Sequence, residues 1–95
     1  MKTSLLEKVV PSKDVLTQEV SGEMVLMDLS SEQYFGLDAV GTRIWNLLDQ
    51  GTAPADLLSI LLREYEVEQQ QLESDIEELL GQLLEAGLVR VGAEG

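Results

Sequence analysis

The chain predicts an α+β domain, a small winged-helix-like fold in which a three-stranded antiparallel sheet is followed by three helices. Up to about Leu37, apolar residues fall in short runs separated by turn signals, as strands require. Beyond Asp38 they recur every three to four residues, as on one face of a helix. The first runs are joined by short links, so antiparallel pairing in sequence order is the simplest arrangement.

Val15–Val20 reads as the first strand, through Val15, Leu16, Thr17 and Val20, and ends at the turn signal Ser21–Gly22. Glu23–Leu29 is a nearly continuous apolar run (Met24, Val25, Leu26, Met27, Leu29) and a stronger strand. Ser30, Ser31 and Glu32 form the next turn. Gln33–Leu37, with Tyr34 and Phe35, is a short third strand and, in this order, an edge.

Asp38 is placed to cap a helix running to Gln50 and stopped by Gly51. Val40, Ile44, Leu47 and Leu48 form its stripe, Trp45 lies beside it, and Gly41 leaves space for close packing one turn earlier. Thr52 is the expected cap of a second helix, with Pro54 tolerated in its first turn. Leu57, Leu58, Leu61, Leu62 and Tyr65 make its apolar face. The third helix is expected from about Gln69 to Ala86, with a wide stripe of Leu72, Ile76, Leu79, Leu80, Leu83 and Leu84. Gly87 suits the left-handed position after it, with Leu88 folding back onto Leu83 and an extended tail to Val91. Residues 1–12 are expected as an N-terminal tail and 13–92 as the domain.

Composition narrows the chemistry. A domain of 95 residues buries only about 60–65 % of its unfolded surface, which leaves few core positions for a deep catalytic pocket. Absence of Cys excludes disulfides and thiolate metal sites, and absence of His removes the commonest general base and metal ligand. No metal, no cofactor and no catalytic residue are expected, and the chain is not expected to be an enzyme. No apolar run is long enough to span a membrane. The apolar stretch within Met1–Pro11 is too short for a signal peptide and lacks a small-residue cleavage site, so a cytoplasmic protein is expected.

The formal net charge of −12 repels phosphate backbones and anionic membrane surfaces, and favours a neutral or cationic partner. Glu73, Asp75, Glu77, Glu78 and Glu85 crowd the third helix, and no basic residue occurs between Arg63 and Arg90. The plain reading is a solvated face; the functional one is attraction of a basic partner segment. A winged-helix order invites a transcriptional regulator, but its reading helix would carry this negative charge into the major groove. An acyl carrier role needs an Asp-Ser-Leu attachment motif, and Glu73-Ser74-Asp75 is not one.

The third strand is more informative. Alternation turns one of Tyr34 and Phe35 inward, with the parity left open by sequence. A free edge is a template for an extended peptide. The third helix's stripe is wider than a small core needs, so part of it is available to line a groove beside that edge.

The runs Met24-Val25-Leu26-Met27-Asp28, Glu32-Gln33-Tyr34-Phe35-Gly36-Leu37-Asp38 and Val40-Gly41-Thr42-Arg43-Ile44-Trp45-Asn46-Leu47-Leu48 resemble the PqqD-like superfamily, the RiPP recognition elements. The likeness continues through Thr52, Leu57, Leu61, Tyr65-Glu66-Val67, Leu72, Asp75-Ile76, Leu79-Leu80, Leu83 and Gly87-Leu88-Val89, and covers roughly Val15 to Val91. The resemblance implies a peptide chaperone that binds the leader of a ribosomally made precursor as an added strand. It implies an edge of Gln33, Tyr34, Phe35, Gly36 and Leu37, and a groove wall drawn from Leu72, Asp75, Ile76, Leu79, Leu80 and Leu83. Asp75 would pair with a basic leader residue. The Tyr-Phe-Gly-Leu-Asp stretch and Trp45 look most like the stand-alone proteins of lasso-peptide biosynthesis, which present a precursor to a separate leader peptidase. The alternative within the family is a chaperone for a radical-SAM enzyme. Neither nucleic acid nor membrane is an expected partner, and a homodimer is compatible with the pattern.

Overall fold

The computed structural model describes residues 9–91. Its elements in chain order are β1 (Val9–Pro11), β2 (Val15–Val20), β3 (Glu23–Asp28), β4 (Gln33–Leu37), α1 (Ala39–Asp49), α2 (Pro54–Glu64), α3 (Gln69–Glu85) and β5 (Val89–Val91). The predicted antiparallel sheet is present in the order β2-β3-β4, followed by the three predicted helices.

Two strands were not foreseen as such. Val9–Pro11, placed by sequence in a tail, pairs antiparallel with Val89–Val91, with Val9 opposite Val91 and Pro11 opposite Val89. Val9 and Val89 are buried, so this clasp is stitched into the core. Ser12 extends it: its N–H donates to the Leu88 carbonyl at 2.9 Å and its hydroxyl to the Gly87 carbonyl at 2.8 Å.

The β2–β3 turn sets the register of β2 on β3. Ser21 and Gly22 both have positive φ, 56° and 84°, as a type I′ turn demands. Val20 then opposes Glu23, Thr17 opposes Leu26, and Leu26 opposes Phe35. The β3–β4 link is held by Asp28, whose carboxylate accepts from the Ser30 N–H at 3.2 Å and the Ser31 hydroxyl at 2.9 Å.

Alternation gives the sheet two unlike faces. Met24, Leu26 and Leu37 are buried against the helices with Ile44, Trp45, Leu48, Leu57, Leu61 and Leu80. Leu16, Val25 and Tyr34 lie on the other face and are exposed.

Helix ends follow capping chemistry. The Asp38 carboxylate accepts from the Gly41 N–H at 2.8 Å, the predicted cap of α1. Gly51 and Gly87 both sit at positive φ. After each, the chain closes the helix in the Schellman pattern: Thr52 N–H to Leu47 O and Gly51 N–H to Leu48 O, then Leu88 N–H to Leu83 O and Gly87 N–H to Leu84 O. Thr52 is thus spent ending α1. The residue before α2 is Ala53, with no side-chain cap, and Pro54 opens that helix where its missing N–H costs nothing.

Among the described residues the buried polar side chain is Thr42. Its hydroxyl accepts the Met24 N–H at 2.9 Å and lies 3.5 Å from the Leu37 carbonyl, joining β3, the end of β4 and the first turn of α1. No helix of the described chain is long and apolar enough to cross a membrane.

Candidate functional site

Hydrogen-bond parity identifies what β4 offers to an incoming strand. A two-residue type I′ turn closes on a hydrogen-bonded pair, here Val20 and Glu23, so odd-numbered residues of β3 aim their main-chain groups at β2. The Leu29 N–H, which donates to the Asp14 carbonyl at 2.9 Å, continues that series. Even-numbered residues aim at the β4 side: the Met24 N–H reaches Thr42 there, and the Asp28 carbonyl accepts from the Glu32 N–H at 2.7 Å. Leu26 therefore bonds with its partner Phe35, and the main-chain groups of Gln33, Phe35 and Leu37 are turned inward. Those of Tyr34 and Gly36 point out of the sheet, along its open edge.

A groove of about 460 Å³ runs beside this edge. Phe35, Gly36 and Leu37 of β4 form one wall, and Gln71, Leu72, Asp75, Leu79 and Gln82 of α3 the other. The floor is Val40, Gly41 and Ile44 of α1, and Tyr65 and Val67 close it at the α2–α3 link. Gly41 lets the chain approach closely there: a Cβ would lie 3.2 Å from the Asp38 Oδ1 and 3.3 Å from the Leu37 Cδ2, tighter than ordinary contact.

Of the residues expected from sequence, Phe35, Gly36, Leu37, Leu72, Asp75 and Leu79 are brought together in this groove. Ile76, Leu80 and Leu83 are not; each is 0 % exposed and packs into the core beneath it. Gln33 and Tyr34 also lie outside the lining. The Tyr34 side chain projects from the opposite face, 73 % exposed, while its main chain remains on the edge. Phe35, half-buried, is the aromatic of the pair that enters the groove.

Asp38, Val40, Gly41, Ile44, Tyr65, Val67, Gln71 and Gln82 were not singled out as site residues from sequence. Val40 and Ile44 stand in the stripe of α1, a pattern that signals core and is silent about a groove. Tyr65 closes the apolar face expected of the second helix and Val67 follows it, and the run Tyr65-Glu66-Val67 within the family resemblance is the signal the sequence carried for them.

The lining is mainly apolar, with two carboxylates, Asp38 and Asp75, and no basic side chain. Asp75 Oδ1 accepts from Gln71 Nε2 at 2.9 Å, and both residues line the groove. Asp38 Oδ1 is held by the α1 cap. No group of three or more metal-ligating side chains occurs among the described residues. Such a site can bind an extended apolar segment carrying positive charge.

The fold and groove define a small α+β module with an open strand edge beside an apolar groove. The family model for coenzyme PQQ synthesis protein D (PqqD) matches residues 23–89. A solved structure of TbiB1 in complex with the TbiA(beta) leader peptide is similar at 35 % identity, with a TM-score of 0.82 over 90 % of this chain and 99 % of that one. A lasso peptide synthetase B1 complexed with the leader peptide is similar at 31 % identity, with a TM-score of 0.79 over 87 % of this chain and 98 % of that one. Comparison with curated proteins finds no match. The chain belongs to the PqqD family, as a PqqD-like RiPP recognition element.

Proposed function

We propose that this protein binds the leader segment of a ribosomally synthesised precursor as a strand added to β4, and presents it to a separate leader peptidase in lasso-peptide biosynthesis. The observation that carries this reading is the open edge of β4, with the outward main-chain groups of Tyr34 and Gly36 along it and an apolar groove beside it. Main-chain hydrogen bonds at the edge supply affinity and the groove supplies selectivity. The bound leader's apolar side chains rest on Phe35, Leu72 and Leu79, and a basic one reaches Asp75. The chain itself contributes binding and no chemistry.

The likeness to two leader-peptide complexes supports leader binding, and the likeness to a lasso peptide synthetase B1 supports the lasso assignment over a radical-SAM partner. The test is calorimetric titration with the leader of the precursor encoded beside this gene. A dissociation constant between nanomolar and low micromolar is expected, with none of the salt-sensitive affinity for duplex DNA that a regulator shows. Duplex binding without leader binding overturns the reading.

A further inference from the structure

The sheet has a second face that the groove does not use. On β2 and β3 it presents Leu16, Val20, Val25 and Met27, just after β3 Leu29, and on β4 the Tyr34 side chain. Elsewhere in the described chain the exposed large apolar residues are only Val67 and Val91. Leu16 is 54 % exposed, although one residue of sliding would turn it inward. Leu16, Val25, Met27 and Tyr34 surround a shallow depression of about 290 Å³. Contiguous apolar surface rimmed by polar groups marks an interaction site.

Charge selects the occupant. Asp14 stands at one end of this face, next to Lys13 in the turn, and Glu23 at the other, with Gln18 between and no basic residue on β2, β3 or β4. A second copy would meet these carboxylates with its own, and both copies carry −12. Tyr34 links the face to the groove edge: its side chain stands on one and its N–H and C=O on the other. A protein seated here touches the strand that holds the leader.

We propose that this outer face is the docking surface for the leader-processing peptidase, met by an apolar patch of that enzyme rimmed by lysine and arginine. This rests on the leader-presenting reading. Leader and peptidase would then occupy opposite sides of one strand, so both bind at once.

The test uses the full chain, the leader and the purified peptidase encoded with it. Two pairs of substitutions are made away from the groove, Leu16→Ser with Val25→Thr, and Asp14→Lys with Glu23→Lys. Calorimetry should find leader affinity within about twofold of the parent in both, because the sites are separate. That result also confirms folding. Affinity of the leader-loaded protein for the peptidase should fall about tenfold or more in each pair. Unchanged peptidase affinity in both pairs overturns the proposal. So does a parent that binds leader but not peptidase, or sedimentation showing a parent dimer that the first pair dissolves, which would give the face to a second copy. Failure of the parent to bind leader sinks the underlying reading instead.

Discussion

At the scale of single residues, the neighbours Tyr34 and Phe35 show what sequence can and cannot specify. Both suit a strand, and alternation guarantees only that they part company. Which one enters the groove depends on the register of β4 on β3, and that register depends on the link after Asp28, where Glu32 adopts a positive φ that its identity does not advertise. Trp45 was easier, because it adjoins an unambiguous helical stripe; it is 3 % exposed. Trp45→Ala should cost about 3–5 kcal/mol, a large share of the roughly 5–15 kcal/mol that holds a domain together. Thermal melting checks this, and an unchanged melt with lost leader binding would move Trp45 into the site. Asp75 is exposed, so its attraction for a basic leader residue is screened by water. Asp75→Asn should weaken that leader by about two- to fivefold, less at high salt, without altering the melt. Calorimetry at two ionic strengths reads both effects.

At the scale of elements, the hydrogen-bond parity of β4 separates two adjacent proline substitutions. Tyr34→Pro deletes an N–H on the open edge, so leader affinity should fall about tenfold while the fold persists. Gln33→Pro deletes an N–H turned toward β3 and should lower the melting temperature more than it lowers the affinity of the folded fraction. Circular dichroism followed by titration distinguishes them; identical behaviour of the two variants would exclude strand addition at this edge. The three strands and three helices were legible because each is a long enough run with one period. The β1–β5 clasp was not, since three residues carry no period, Pro11 argues against a strand, and the partner lies at the far end of the chain. Thr52 misled for a related reason: a residue suited to begin one helix was already needed to finish another. The stripe of α3 was legible as a whole, but its division between groove and core was not. That division rests on which side of the helix meets α2, and periodicity is blind to it.

At the scale of the whole molecule, α1 and α2 are tied across their exposed sides by Arg43, whose Nε and Nη2 donate to the Glu64 carboxylate at 2.9 and 2.7 Å. The hydrogen bond from Arg43, assisted by its charge, holds the Glu64 carboxyl below its ordinary value, and Glu64 in turn raises Arg43. A carboxyl lowered on folding lends stability above its unfolded value and loses it as pH falls through the folded one. Glu64→Gln should therefore be less stable than the parent at neutral pH, and the gap should close in acid below the ordinary glutamate range. Urea midpoints at the two pH values measure it, and a gap that persists in acid would mean the pair is not its source. The clasp of β1 with β5 has a different consequence. Because Val9 lies opposite Val91, the two ends of the described chain leave the domain side by side. An enzyme fused ahead of the first strand or behind the last would be tethered from the same point and reach the groove over the same span. For delivering a bound leader, gene order within such a fusion would matter little.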